Sequence, residues 1–558
     1  MLDYSFRKQT PASLSYGSTK QHQKNEAPLK TDPVELELFT NRFGTVVEEM
    51  GNMLQRTAVS TNVKERQDYS CALLDASGEL IVNAPHIPVH LGALGICVRR
   101  IMEEFPMNPG DTIVTNHPAY GGSHLPDVTV ITPFFHQSDK PAGFLANRAH
   151  HAEIGGIQPG SMSPSATCLA EEGVVIPPTH LFRSGKAAYE ILRDALLKSA
   201  YPTRNLSDNL ADLRAQVAAN LKGIRSMARL SEIFGGVTVD RYMAAIKEAS
   251  ASILSARIRK IPDGRYAARQ KMDDGSKIEV SLDVYKDRIR IDFEGTSGEH
   301  PGNFNAGPAI VQSAVIYFLR LIVDQSMPLN EGFLRQISLK IPRGMLNPYF
   351  PEDPSKCPAV VGGNVETSQR IVDTLLLALE KAACSQGTMN NLVFGNSDIS
   401  YYETLCGGAG AGEGFHGADA VHTHMTNTAI TDPEILEHRY AVILNRFAIR
   451  RGSGGKGKFH GGDGILREIT FLAPYSLSLL TQHRIEEPYG LNGGSPGKRG
   501  KQTFITKNGN QLILPSTVQM EIQTGDRLIM ETPGGGGWGG FSTVGKQSGS
   551  SKAPEPSD

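Results

Sequence analysis

Two apolar, β-branched runs sit inside the stretch from His117 to Gly156, HPAYGGSHLPDVTVITPFFHQSDKPAGFLANRAHHAEIGG, and they constrain the fold more than any other segment. Val128 to Phe135 has the composition of a buried strand and is opened by His124-Leu-Pro-Asp127. A Lys-Pro turn at 140–141 follows, then a second apolar run from Gly143 to Ala146 that ends in Arg148-Ala149-His150-His151. Two strands joined by a tight connection bring His124, Asp127 and His150 or His151 to one end of a sheet. Imidazole plus carboxylate is the donor set of a catalytic Mn, Zn or Fe centre with open positions, not of a closed structural zinc. Taken singly, each histidine reads more readily as a satisfied polar residue at a strand end. Their convergence on the same strand ends singles out the group.

Upstream, Asp32-Pro33 is an N-cap followed by proline in the first turn, and the apolar spacing from Leu36 to Leu54 predicts a helix from 33 to about 57. A hairpin follows, with strands Tyr69–Leu74 and Glu79–Asn83 about the turn Asp75-Ala76-Ser77-Gly78. Asp68, at the mouth of its strand, is the candidate fourth, anionic ligand. Glu65 is the rival carboxylate, read instead as pairing with Lys64 or Arg66 on a solvated loop. His86 and His90 have a four-residue spacing, but Pro88 between them argues against a helical metal motif; either could line the substrate pocket, with a structural role expected first. His151 alternates with His150 and is the second choice for the third ligand, or a residue pointing across the strand into the pocket.

Between about 187 and 256 the pattern is helical, and from about 263 to 295 it changes to strands. Glycine-containing loops then lead into apolar helices at Ala309–Val323 and Ile371–Ala383. The second of these loops carries Asn364 and Arg370, candidates for holding a substrate carboxylate or phosphate, with ordinary helix capping as the alternative. Glu413, His416, Asp419, His422 and His424 form a second polar cluster beside a glycine-rich segment. It reads as a second metal site, as a wall of the same pocket with His422 and His424 touching substrate, or as a hydrogen-bonded loop. Gly452 to Lys458 fits GxxxxGK, yet Phe459 stands where a nucleotide loop needs Ser or Thr, so no ATP site is read here. Residues 465 to 531 are rich in short strands and suit a β-sandwich or barrel-like unit. The run Pro533 to Trp538 reads as a flexible glycine segment. Residues 1–31 and 541–558 are polar and read as a disordered arm and tail.

A net charge of −2 argues against nucleic acid as a partner, and no apolar run reaches the roughly 18 residues of a membrane span. Six scattered cysteines without a CxxC pair suit a reducing cytoplasm, and the N-terminus lacks the order of a signal peptide.

Several motifs together resemble the hydantoinase B family: VKERQDYSCALLDASGELI (63–81), IPVHLGALG (87–95), NHPAYGGSHLPDV (116–128), NRAHHAEIGG (147–156), GGNVETSQR (362–370), HTHMTNTAITDPEILE (422–437), GSGGKGKFHGGDG (452–464) and TPGGGGWGG (532–540). The family includes N-methylhydantoinase B subunits, the C-terminal half of 5-oxoprolinase, and a subunit of acetone and acetophenone carboxylases. The resemblance implies an α+β fold, a large mixed module over 32–540. Within it lie a metal-site region at about 60–185, a helical region at about 187–256 and the β-rich region at about 465–531. It also implies Asp68, His124, Asp127 and His150 as ligands of a divalent metal. A hydantoinase A-like partner would use ATP to phosphorylate a cyclic amide, which this chain hydrolyses within a hetero-oligomer, with His151 or Glu153 moving the proton. A carboxylase subunit and a non-catalytic scaffold are the alternatives.

Overall fold

The computed structural model describes residues 14–16, 32–83, 87–323 and 329–540. The expected arm and tail lie outside the described residues, except that Leu14–Tyr16 pairs antiparallel with Ile337–Ile341. The first helix, Pro33–Thr57, begins where the cap predicts, with Asp32 Oδ1 accepting from Val34 N at 2.9 Å. Such a cap is worth about 1 kcal/mol. Its buried stripe includes Phe39, Phe43, Val47, Met50 and Leu54.

That stripe covers one face of a seven-stranded sheet that organises the N-terminal half. Its spatial order is Leu80–Asn83, Tyr69–Asp75, Gly143–His150, Asp127–Phe134, Thr112–Thr115, Thr179–Arg183 and Lys186–Ala187, every pair antiparallel. Successive side chains alternate faces, and the register sorts them cleanly. Tyr69, Cys71, Leu73, Leu145 and Ala149 pack with the first helix, and Leu206–Phe234 lies across the same face. That long helix is anchored by amides: Asn147 Nδ2 donates to Gln216 O and Asn220 Oδ1, both at 2.8 Å. Ala72, Leu74, Ile131, Phe144 and Ala146 face the other way, against the helix Ala93–Glu104. Towards the strand ends this second face carries Asp68, Ser70, Asp127, Arg148 and His150 instead of apolar residues. The helical stretch beyond the sheet resolves into Tyr189–Lys198, Leu206–Phe234 and Gly236–Ile258.

Three further sheets follow. Gly264–Lys271, Lys277–Tyr285, Arg288–Asp292 and Ile337–Ile341 pack on the helices Pro308–Leu321 and Ser368–Ala378, with Val280, Leu282, Ile310, Val315, Ile371 and Leu375 in one core. A four-stranded antiparallel sheet (Ser400–Thr404, Asn391–Gly395, Tyr475–Leu480, Thr517–Ile522) shares a core with a five-stranded one (Val442–Arg450, Gly464–Phe471, Arg527–Glu531, Lys501–Ile505, Gln511–Leu514). Phe394 and Leu477 from the first sheet meet Ile469, Phe504 and Leu528 from the second, a sandwich that begins well before residue 465. The whole is α+β, as the motifs implied.

Two expectations are corrected. The glycine run is not flexible: Gly534 to Trp538 is buried and hydrogen-bonded along its backbone, with Gly535 N donating to Gly462 O at 2.9 Å and Gly536 N to Cys384 O at 2.7 Å. A Cβ placed on Gly535 would lie 1.9 Å from Ala409 O, so only glycine lets these backbones meet. Trp538 closes the run in backbone bridges to Phe459 and Leu491. The GxxxxGK segment belongs to this same layer: Gly455 N donates to Gly535 O at 2.8 Å. The loop before Tyr69 is solvated only in part: Lys64 is exposed and Glu65 half-buried, but Arg66 is fully buried and Asp68 nearly so.

Candidate functional site

Asp127 and His150 are direct partners across two adjacent strands, and His150 N donates to Asp68 O at 3.0 Å on the next strand over. Three neighbouring strand ends thus deliver Asp68, His150 and Asp127 side by side. His124 arrives from the turn before Asp127, whose N–H donates to His124 O at 3.1 Å. One donor atom each from His124, Asp127 and His150 falls within 4.8 Å of the others. His124 Nε2 lies 3.3 Å from Asp127 Oδ2, and His150 Nδ1 lies 3.4 Å from Asp127 Oδ1 and 3.8 Å from Asp68 Oδ2.

The donor set fits a divalent cation. All three side chains are buried, yet both ring nitrogens of His124 and Nε2 of His150 make no hydrogen bond among the described residues. Buried polar atoms without partners are costly, about 1–3 kcal/mol each, and a cation between imidazole and carboxylate removes that cost. The electrostatics agree. Burial alone would raise the Asp127 carboxyl, but the imidazoles of His124 and His90 outweigh it and hold the group well below the usual carboxylate range. Burial lowers His150 in spite of Asp68 and Asp127, which keeps its ring neutral and its lone pair available.

A narrow cleft, with about 20 Å³ open to water, lies beside the cluster. Asp68, Asp127 and His150 line its polar end, and Ile87, Val89, Val365, Met389 and Met425 form apolar walls. Asn364 enters from a π-helical turn, Gly363–Thr367, with its Oδ1 buried and without a hydrogen-bond partner among the described residues. Tyr402 stacks on the His150 ring at 4.8 Å between centroids, and the Arg66 guanidinium lies 4.6 Å from the Tyr402 ring centre. Tyr402 is itself fixed from behind, since its hydroxyl donates to Asn391 Oδ1 at 3.0 Å while Asn391 Nδ2 donates to Glu366 Oε1 at 2.7 Å.

Other candidates lie elsewhere. His151, on the opposite face of its strand, meets Gln216 Oε1 (3.1 Å) and Asn209 Nδ2 (3.2 Å) on the long helix. Glu153 accepts from the N–H groups of Arg204 (3.0 Å), Asn205 (3.1 Å) and Gly155 (3.0 Å). Neither lines the cleft. Arg370 is buried and donates to Gln270 Oε1 at 3.2 Å, and His424 meets Asp373 Oδ1 at 3.0 Å, both outside the cleft wall. Glu413, His416 and Asp419 are exposed, whereas the His422 ring nitrogens are buried. Burial, and then the Arg66 charge, lowers His422 to about 4. The second cluster therefore does not assemble. His86 lies outside the described residues.

Sequence reasoning missed Tyr402 and ranked a place in the pocket for His90 below a structural role. Pro88–His90 is a short 3₁₀ turn opened by Pro88, and His90 lines the cleft with Nε2 at 3.3 Å from Asp127 Oδ2. Tyr402 carried no local signal, because only tertiary packing brings its strand to His150.

Fold and donor set together describe an α+β protein with a buried His–Asp–His cluster, able to hold a cation, at the ends of an antiparallel sheet. The chain belongs to the hydantoinase B/oxoprolinase family, whose model matches residues 32–540. It is 44% identical to 5-oxoprolinase 1 of Arabidopsis thaliana over 91% of this chain and 42% of that protein. It is also 30% identical to the B component of a putative D-/L-hydantoinase of a Pseudomonas strain, over 91% of this chain and 90% of the relative. The crystal structure of the ATP-dependent caprolactamase of Pseudomonas jessenii superposes with a TM-score of 0.82 at 25% identity, covering 92% of each chain. The chain spans about two fifths of the length of the 5-oxoprolinases it matches. No helix among the described residues is long and apolar enough to cross a membrane.

Proposed function

We propose that this chain is the hydrolytic module of an ATP-dependent cyclic-amide hydrolase of the 5-oxoprolinase or N-methylhydantoinase type, working with an ATP-binding hydantoinase A-like module in a hetero-oligomer. The observation that carries this reading is the convergence of His124, Asp127 and His150 with unpartnered ring nitrogens beside a cleft. The names of the relatives, 5-oxoprolinase, D-/L-hydantoinase and ATP-dependent caprolactamase, share a cyclic amide as substrate. The same relatives support the division of labour. The 5-oxoprolinases are more than twice the length of the match, while the hydantoinase component is matched nearly end to end. The domain limits, a module over 32–540 with an arm and a tail, belong to the same proposal.

His124, Asp127 and His150, with Asp68 beside them, would hold a divalent cation (Mn, Zn or Fe). Such a cation supplies Lewis acidity and brings water within reach of ionisation near neutral pH. Amide resonance makes lactams poor electrophiles, so prior phosphorylation of the amide oxygen by the partner provides the leaving group. Within the cleft, Asn364 Oδ1 is placed to accept an N–H from the ring of the substrate. Ile87, Val89, Val365, Met389 and Met425 would supply apolar contacts to ring methylenes. Tyr402 and Arg66 hold the His150 ring in place. Proton handling falls to groups on the cleft side of the sheet. His151 and Glu153 serve the helix Leu206–Phe234 and its approach.

Elemental analysis of the purified chain tests the centre. Wild type should carry close to one divalent cation per chain and Asp127→Ala none, with the circular dichroism spectrum unchanged. Combined with its ATP-using partner, wild type should open 5-oxoproline only when ATP is present, and Asp127→Ala should not. A cation-free wild type, or opening that needs no ATP, would falsify this reading.

A further inference from the structure

The Asp127 carboxylate is gripped from two sides. Its Oδ1 faces His150 Nδ1, while Oδ2 takes a hydrogen bond from Ser123 Oγ and faces His90 Nε2 at 3.3 Å. His90 is almost fully buried, and its other nitrogen, Nδ1, lies 3.0 Å from Ser70 Oγ. Ser70 is in turn addressed by the backbone, since Ile87 N donates to its Oγ at 3.3 Å. Polarity sets the direction of this chain of contacts. A carboxylate can only accept, so the imidazole proton sits on Nε2. In the neutral ring Nδ1 then accepts, and the Ser70 hydroxyl, with a lone pair already engaged by Ile87 N–H, donates to it. Every group in the sequence Ile87 N–H, Ser70 O–H, His90 Nε2–H, Asp127 Oδ2 thus has one consistent role. The geometry follows from the fold: Ser70 is two residues beyond Asp68 on the same sheet face, and the 3₁₀ turn Pro88–His90 lays His90 over that face.

We propose that Ser70 and His90 form a positioning relay that fixes the orientation of the Asp127 carboxylate and so sets how tightly the His124–Asp127–His150 centre holds a divalent cation. The proposal rests on the cation centre of the proposed function and adds two residues to it. His90 acts through Asp127, not as a ligand, because both its ring nitrogens have hydrogen-bond partners, whereas neither nitrogen of His124 has one among the described residues. Orienting partners of this kind usually change metal affinity by about 10- to 100-fold.

The test is Zn(II) titration of the full chain after chelator stripping, followed by calorimetry, with the Co(II) absorption spectrum as a reporter of coordination. His90→Leu should weaken Zn(II) binding by about 10- to 100-fold while leaving the Co(II) band pattern in place. His90→Gln keeps an N–H donor near the Nε2 position and should recover part of the loss. Ser70→Ala should weaken binding in wild type but add nothing in the His90→Leu background, since Ser70 works only through His90. Thermal melting of the stripped proteins checks folding, and Ser70→Ala, the smaller change, carries the test if His90→Leu does not fold. Wild-type affinity in a folded His90→Leu protein, or in Ser70→Ala where His90→Leu does not fold, overturns the relay while leaving the proposed function standing. So does full additivity of the two substitutions. A changed Co(II) pattern with loss of binding as complete as in Asp127→Ala also overturns it, by making His90 a ligand. A wild-type chain that binds no Zn(II) overturns both proposals.

Discussion

The His–Asp–His cluster and the glycine layer are built on opposite terms. At the centre, side chains meet in space that backbones leave open: His124, Asp127 and His150 converge from a turn and two strand ends. In the layer formed by segments near Gly408, Gly454, Gly462, Gly494 and Gly535, backbones meet because side chains are absent. Exchanging the Asp127 carboxylate for an amide of nearly the same shape adds no volume at the cluster. A methyl group added in the layer has nowhere to go. Unpartnered donors are therefore concentrated at the cluster, and close backbone contacts where nothing projects at all.

That contrast can be broken at the layer first. Gly535→Ala places a Cβ 1.9 Å from Ala409 O and should destabilise the chain by more than about 3 kcal/mol in urea denaturation. An unchanged midpoint would mean that the layer yields, and the contrast with the centre would collapse. A pH series sharpens the boundary between the regions, where His422 leaves the glycine-rich segment and turns its ring towards Arg66. Its folded pKa, about 4, lies below the ordinary 6.5, so between those values the unfolded chain binds the extra proton. The contribution of His422 is fully present above about pH 6.5 and is lost as pH falls towards 4. His422→Gln should flatten that part of the stability profile, and a variant with the wild-type slope would show the ring to be accessible. The smallest effect is expected at Glu413, exposed in the cluster that does not assemble. Glu413→Ala should shift stability by no more than about 0.5 kcal/mol and leave the cation content unchanged. A lost cation would place this loop at the centre after all.

Local periodicity makes much of the centre legible in the amino-acid sequence. The strand pair from Asp127 to His150 follows from β-branched runs and one turn, and the cap at Asp32 from its immediate neighbours. The α+β class came from motif resemblance, with the helical and stranded stretches in agreement. What escaped was set by distant packing. His90 looked structural because its spacing to His86 failed as a helical motif, yet the 3₁₀ turn brings it to Asp127. Arg66 looked solvated because its neighbours are charged, although it is sealed by Tyr402, Thr404 and Thr428. The glycine run looked flexible because composition cannot distinguish a chain that is free from one pressed against other glycines. The histidines near 416–424 looked clustered because proximity along the chain ignores which way a turn sends each ring.

Trp538 is the single tryptophan of the chain and sits 8% exposed at the close of the glycine run, bridged to Phe459 and Leu491. Its indole emission is consequently a built-in fluorescent gauge of one region alone. Stripping the cation should leave the emission maximum in place, whereas prising the glycine segments apart should send it to the red, so one cuvette separates a loss of chemistry from a loss of architecture.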